Sequence, residues 1–440
     1  MKFALRASAT TWAFLLLLTA CGGGGSDGGG ESSGNTTFSS LQDISEPVAP
    51  AVANGPQAAA LADCVFNATR AQSCTLTQLP FIGASTSTVT VDDVMARVVT
   101  SRPWMAQRLR ELLQTLPPDL LQMMKPVTAI VVGSKVRPSF YWLATGALYI
   151  DPQHLWTTPE ELADVDKTPD YRTDFGQALQ FTTLWRYVKD DHRAYLSYSL
   201  HETNPRSIDD IRIQFAHLIL HELAHAGDFA PPRLLSSLST DKPLLEVLNQ
   251  VAAQRISSRL YLTNPLRSTI LKELGEALFR TGRPTAQQQA LSATDVSREF
   301  TADRASDDYS YASQYEDVAM LAEEALMRVY YGVSRDIAVT PRPTVPNPTA
   351  NDYIVTWGTR GRIGQEGVKQ AAAQVVDELL PHANLAPAIL GLPAPTPMRV
   401  GASWWNNLVL DSQSATAATT QRRQSLGTAP SVAADLLKPY

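Results

Sequence analysis

The chain predicts an α+β fold, mainly helical, in which a small antiparallel or mixed sheet precedes one long helix. Three observations predict it. From Ile208 to Phe229 apolar residues (Ile208, Ile211, Phe215, Leu218, Ile219, Leu223) recur at spacings of three, four and seven, with no Pro and no Gly before Gly227. Upstream, 127–132 is a short apolar run, and 139–143 and 147–150 flank Thr145-Gly146, which reads as a buried strand followed by a hairpin. Downstream, the helical period returns over 243–260, 266–280, 294–306 and 315–331, and again over 364–380 after a Pro-rich break at 341–348.

In chain order, residues 1–20 read as an export signal: Lys2 and Arg6 precede an apolar run, 12–18, that is too short to cross a bilayer. Leu18-Thr19-Ala20-Cys21 resembles the lipobox of bacterial lipoproteins. That resemblance implies lipidation of Cys21 and anchorage in the cell envelope, and Gly22 after it points to the outer membrane, facing the periplasm. Residues 21–60 are rich in Gly, Ser, Pro and Ala and hold too few large apolar side chains to fold, so a flexible tether is expected. In an exported chain the pair Cys64 and Cys74 predicts a small disulfide loop, and no C-x-x-C suggests a cysteine metal site. The folded part is expected over 61–412, with one or two helices around Pro103, an insertion at 157–206 over the cleft, a last strand at 352–357 and a loose tail at 413–440. At 178–188 periodicity leaves strand and helix both open. A net charge of −6, with no basic patch, excludes nucleic acid as the partner, and no later stretch approaches eighteen apolar residues, so membrane contact is expected through lipid alone.

The chemistry concentrates in the long helix. Of seven histidines in 440 residues, three lie at intervals of four, in His217-Leu-Ile-Leu-His221-Glu222-Leu-Ala-His225. Ser207 with Asp209 and Asp210 supplies an N-cap, and Gly227 with the pair Pro231-Pro232 marks the end. Residues four apart on a helix lie above one another, so His221 and His225 can offer two imidazole nitrogens to one metal ion. Glu222 then stands beside the ion, placed to take a proton from an attacking water. His217 is expected to pack or to support a ligand, because a further protein ligand would close the site. His154, His192 and His201 read as surface or hydrogen-bonded histidines. A third ligand must come from downstream, and two glutamates compete: Glu316, at the start of a helix with an apolar opposite face, and Glu299, with Asp303 one turn on where it could orient a ligand histidine.

His-Glu-Leu-Ala-His with a distant helical glutamate resembles the gluzincin metallopeptidases, over less than an eighth of the chain. The resemblance implies a zincin-like fold, a bound zinc ion and hydrolysis of a peptide or protein substrate. His225-Ala-Gly-Asp228, with Tyr309 seven residues before Glu316, is similar to the anthrax lethal factor-like branch, which implies Glu316 as the ligand and Tyr309 as the oxyanion donor, with Tyr311 as an alternative donor. The chain departs from that pattern at Met320, where the branch has an acidic residue four positions after the ligand. Arg298-Glu299-Phe-Thr-Ala-Asp303-Arg304 instead resembles the CAAX-protease and heat-shock peptidase branch and implies Glu299, the alternative to Glu316, which is favoured because a transition-state donor comes with it. In both, an edge strand ahead of the helix holds extended substrate, and 147–151 is the expected edge. The competing expectation is an inactive envelope lipoprotein whose metal-stabilised helix pair serves as a binding scaffold.

Overall fold

The computed structural model describes residues 41, 43–66, 73–410 and 433–436. The export signal, Cys21, the first part of the expected tether and most of the expected tail lie outside these residues. Helix accounts for 44% and strand for 12%, so the mainly helical α+β expectation holds, and the strands form two small sheets.

The first sheet is mixed. It is built from β1 (Ala49–Pro50), β2 (Val98–Thr100), β3 (Ile130–Val132), β4 (Phe140–Trp142) and β5 (Ala147–Ile150), in the order β1-β2-β3-β5-β4. β2, β3 and β5 run parallel, while β1 and β4 close the two ends antiparallel. The hairpin turns at Gly146, whose φ of 67° suits a residue without a Cβ. The expected edge at 147–151 is therefore corrected: β5 is paired on both sides, and β4 is the edge. The parallel ladder with β3 takes up the free side of β5, a long-range pairing that the hairpin pattern does not encode.

The second sheet is antiparallel: β6 (Phe181–Lys189), β7 (His192–Arg193), β8 (Ser334–Pro341), β9 (Trp357–Arg360) and β10 (Thr396–Pro397), in the order β10-β9-β8-β6-β7. The stretch 157–206, expected to be an insertion, supplies the inner strand β6, which is paired with β8 from Phe181↔Pro341 to Val188↔Ser334. The strand expected at 352–357 falls at Trp357–Arg360, and it is not the last, because the short β10 follows it.

The long helix spans Ile208–Phe229, the histidine helix. Ser207 and Asp210 form a capping box at its start, and the chain leaves it at Ala230, before the two prolines. It runs through Gly227, where a Cβ would collide with Leu379 of the helix Val368–Leu379. Every residue from Phe215 to Phe229 is buried, so this is a central helix with neighbours all round. On one side lie β4 and β5, and on another the helix Gln314–Tyr331, the glutamate helix, which in turn touches β8.

Both ends of the fold reach further than expected. Leu41 and Ile44 are buried with Cys64 and Val65, and β1 adds to the sheet edge, where Pro50 needs no ladder donor. In the tail, Asp435 is buried and accepts from Arg193 Nη1 at 2.6 Å and from Trp404 Nε1 at 2.7 Å. Cys64 and Cys74 are disulfide-bonded, with Cα atoms 5.6 Å apart.

Candidate metal centre

His217, His221 and His225 form one row along the histidine helix, and the glutamate helix lies against that row. His221 Nε2 and His225 Nε2 are 3.2 Å apart. Glu316 Oε2 lies 3.0 Å from the first and 3.2 Å from the second. The three are buried, their nearest ligand atoms all lie within 4.8 Å of one another, and as two imidazoles and a carboxylate they could hold a metal ion. Glu316 owes its place to the first turn of its helix: Ser313 Oγ accepts from the backbone N–H groups of Tyr315 and Glu316. Beside it, Asp317 is gripped by Arg304 through bonds of 3.1 and 2.7 Å.

Glu299 is not part of this group. Its carboxylate accepts from Ser268 Oγ at 2.8 Å, and Asp303 accepts from the backbone N–H groups of Arg267 and Ser268 at 2.6 and 2.9 Å. Both acids serve the start of the helix Thr269–Glu276 rather than an imidazole. Arg304, from the same motif, is the residue that reaches the centre's surroundings.

Two turns beyond Glu316 lies Glu323, which the sequence reading missed. Its Oε2 is 3.1 Å from His221 Nδ1, while Oε1 accepts from Tyr187 Oη at 2.7 Å and from Arg335 Nη1 at 3.2 Å. A carboxylate at Nδ1 fixes the proton there and leaves the Nε2 lone pair for a metal. Burial pushes the Glu323 carboxyl up, but the His221 hydrogen bond and the Arg335 charge outweigh it and hold the carboxyl well below the usual range. The acidic partner therefore comes seven positions after Glu316, where Met320 had suggested a gap. The signal was the i, i+7 spacing, which repeats one helix face. His217 stacks on Tyr195 at 5.4 Å, meets its hydroxyl at 3.0 Å and lies 3.6 Å from Glu323, a supporting position.

Glu222 is 2% exposed. Its carboxylate accepts the backbone N–H of Tyr141 on β4, and its Oε2 has no hydrogen-bond partner among the described residues. Burial pushes its carboxyl up, and the charges of His221 and His225 pull it back only in part. The Tyr309 ring stands 5.9 Å from the His221 ring, in the turn Tyr309–Tyr311. Tyr311 faces elsewhere, edge-on to Phe300 at 6.0 Å in a separate core, so the alternative donor is corrected. Of the remaining four histidines, His154 is buried beside Gln153, and His192, His201 and His382 are exposed. No family model, curated protein or solved structure matches the chain.

Proposed function

We propose that the chain is a zinc-dependent metallopeptidase of zincin-like fold, carried on the cell envelope through a lipid at Cys21 and facing the periplasm. The observation that carries this reading is the meeting of His221, His225 and Glu316 at one point, with the carboxyl of Glu222 beside it. Two imidazoles and a carboxylate are the common protein set of catalytic zinc, which would supply a Lewis acid to polarise the peptide carbonyl and to acidify water. The chain's own residues do the rest. Glu222, held by the Tyr141 N–H, takes the proton of the attacking water at Oε2 and returns it to the leaving amine. Tyr309 donates to the oxygen that gains charge. β4 ends its sheet, so an extended peptide adds to it as a further strand, and the strand that holds the substrate also holds the base.

A second reading has its own observation: His221, Glu222, His225, Glu316 and Tyr309 are all at most 6% exposed, as suits a metal-stabilised scaffold. Glu222→Gln separates the two, because a scaffold has no use for a base. The variant is expected to keep bound zinc and its melting temperature while losing cleavage of a mixed peptide library. Unchanged cleavage by the variant would remove Glu222 as the base, and no cleavage by the parent chain loaded with zinc would leave the scaffold reading.

A further inference from the structure

Arg335 lies on β8, in the sheet that contributes no group to the candidate centre, and is 2% exposed. Its guanidinium packs over the Trp185 ring, 4.1 Å from the centroid. One arm, Nη1, donates to Glu323 Oε1 at 3.2 Å, and the other oxygen of that carboxylate holds His221 Nδ1 at 3.1 Å. The other arm, Nε, donates to Asp307 Oδ2 at 2.7 Å, and Asp307 Oδ1 accepts the backbone N–H of Tyr309 at 2.9 Å. One planar fork therefore ends on two carboxylates, each of which holds a different half of the centre.

We infer that Arg335 is a positioning residue that aligns the His221 imidazole and the Tyr309 turn with one another. This rests on the metallopeptidase reading for Tyr309, and on the metal site alone for His221. Asp307 and Glu323 are fully buried, so each needs a cation or donor to stay charged in place. Glu324, whose nearest approach to Arg335 is 4.0 Å, does not compete, because burial pushes its carboxyl up to about 8 and keeps it neutral near pH 7. A lysine cannot replace the fork, since an ammonium is a point charge without two parallel donors. A structural ion pair would change stability only. A positioning residue changes metal affinity and turnover in ways that folding does not explain.

The test uses the full chain, with zinc affinity by chelator competition, the absorption bands of the cobalt-loaded protein, and kcat and KM on peptides at saturating zinc. Arg335→Lys is expected to weaken zinc by ~10–100-fold, as loss of a ligand-orienting partner does, to shift the cobalt bands, and to lower kcat further with KM little changed. Glu323→Gln should reproduce the affinity loss, and Asp307→Asn should lower kcat while leaving the zinc dissociation constant alone. Parental zinc affinity and cobalt bands in Arg335→Lys would overturn the inference, whatever its melting temperature. Should Arg335→Lys fail to fold, the two single variants decide: each losing its own readout supports the inference, and either one losing neither overturns it. A parent chain that binds zinc but cleaves nothing sinks the metallopeptidase reading, and the inference is then decided by zinc affinity and the cobalt bands.

Discussion

The two sheets meet the histidine and glutamate helices in opposite ways. The first is apolar where it faces the helices: Ile130, Val132, Leu148 and Ile150 are buried in the core shared with the histidine helix, and its direct polar contribution is the Tyr141 N–H to Glu222. The second is charged on both faces. Towards the helices it sends Tyr187 and Arg335 to Glu323. On the far face Asp336 is held by Arg186 at 2.9 Å and by Arg360 at 2.7 Å. One sheet supplies shape and burial, and the other supplies fixed charge. The division is physically sensible, because hydrophobic packing is non-directional whereas a fork on a carboxylate fixes orientation as well as distance.

Substitutions can break this contrast. The largest loss is expected from Asp336→Ala, which leaves the buried Arg186 without its anion: about 3–5 kcal/mol, read as the shift of a urea unfolding curve. A loss below about 1 kcal/mol would mean that the far-face charges are solvated after all. In the first sheet Leu148→Ala should cost about 2–4 kcal/mol through cavity formation, with the same cost at low and high salt. A salt-dependent cost there would blur the distinction between the sheets.

The smallest effect sharpens the contrast through pH. Burial raises Glu324 from 4.5 to about 8 against the pull of Arg335, so the folded chain holds this proton more tightly than the unfolded chain. The associated stability is complete below pH 4.5 and is lost as the pH rises through about 8. Glu324→Gln, which carries no titrating proton, should flatten the fall of the melting temperature across that window. A parallel slope in both proteins would place the titration elsewhere.

The contrast also explains what could be read from the sequence. The histidine helix was legible at both ends, because Ser207 caps it, Pro231 and Pro232 follow it, and its apolar period is long, but Gly227, expected to help end it, lies inside it against Leu379. The glutamate helix was legible from its apolar period, which placed it at 315–331 against the observed Gln314–Tyr331. β8 was not: no element was expected over 332–340, because Arg335 and Asp336, adjacent charges that are both buried and lie opposite β6, interrupt any apolar pattern. Glu323 was hidden in the same way, as a helix-face acid. Which strand of the hairpin becomes the edge depends on β3 pairing in parallel with β5, a contact that no local period announces. The spacing of Tyr309 favoured Glu316 over Glu299 without excluding the latter, because both lie on helices and only the packing of those helices decides which one faces the imidazoles.

The account depends most on the metal centre itself, and zinc stoichiometry in two glutamate variants of the full chain tests it directly. Glu316→Gln should lose the bound ion at a zinc concentration that saturates the parent chain, while Glu299→Gln retains one equivalent. Retention by Glu316→Gln together with loss by Glu299→Gln, or no zinc in the parent chain, would contradict it.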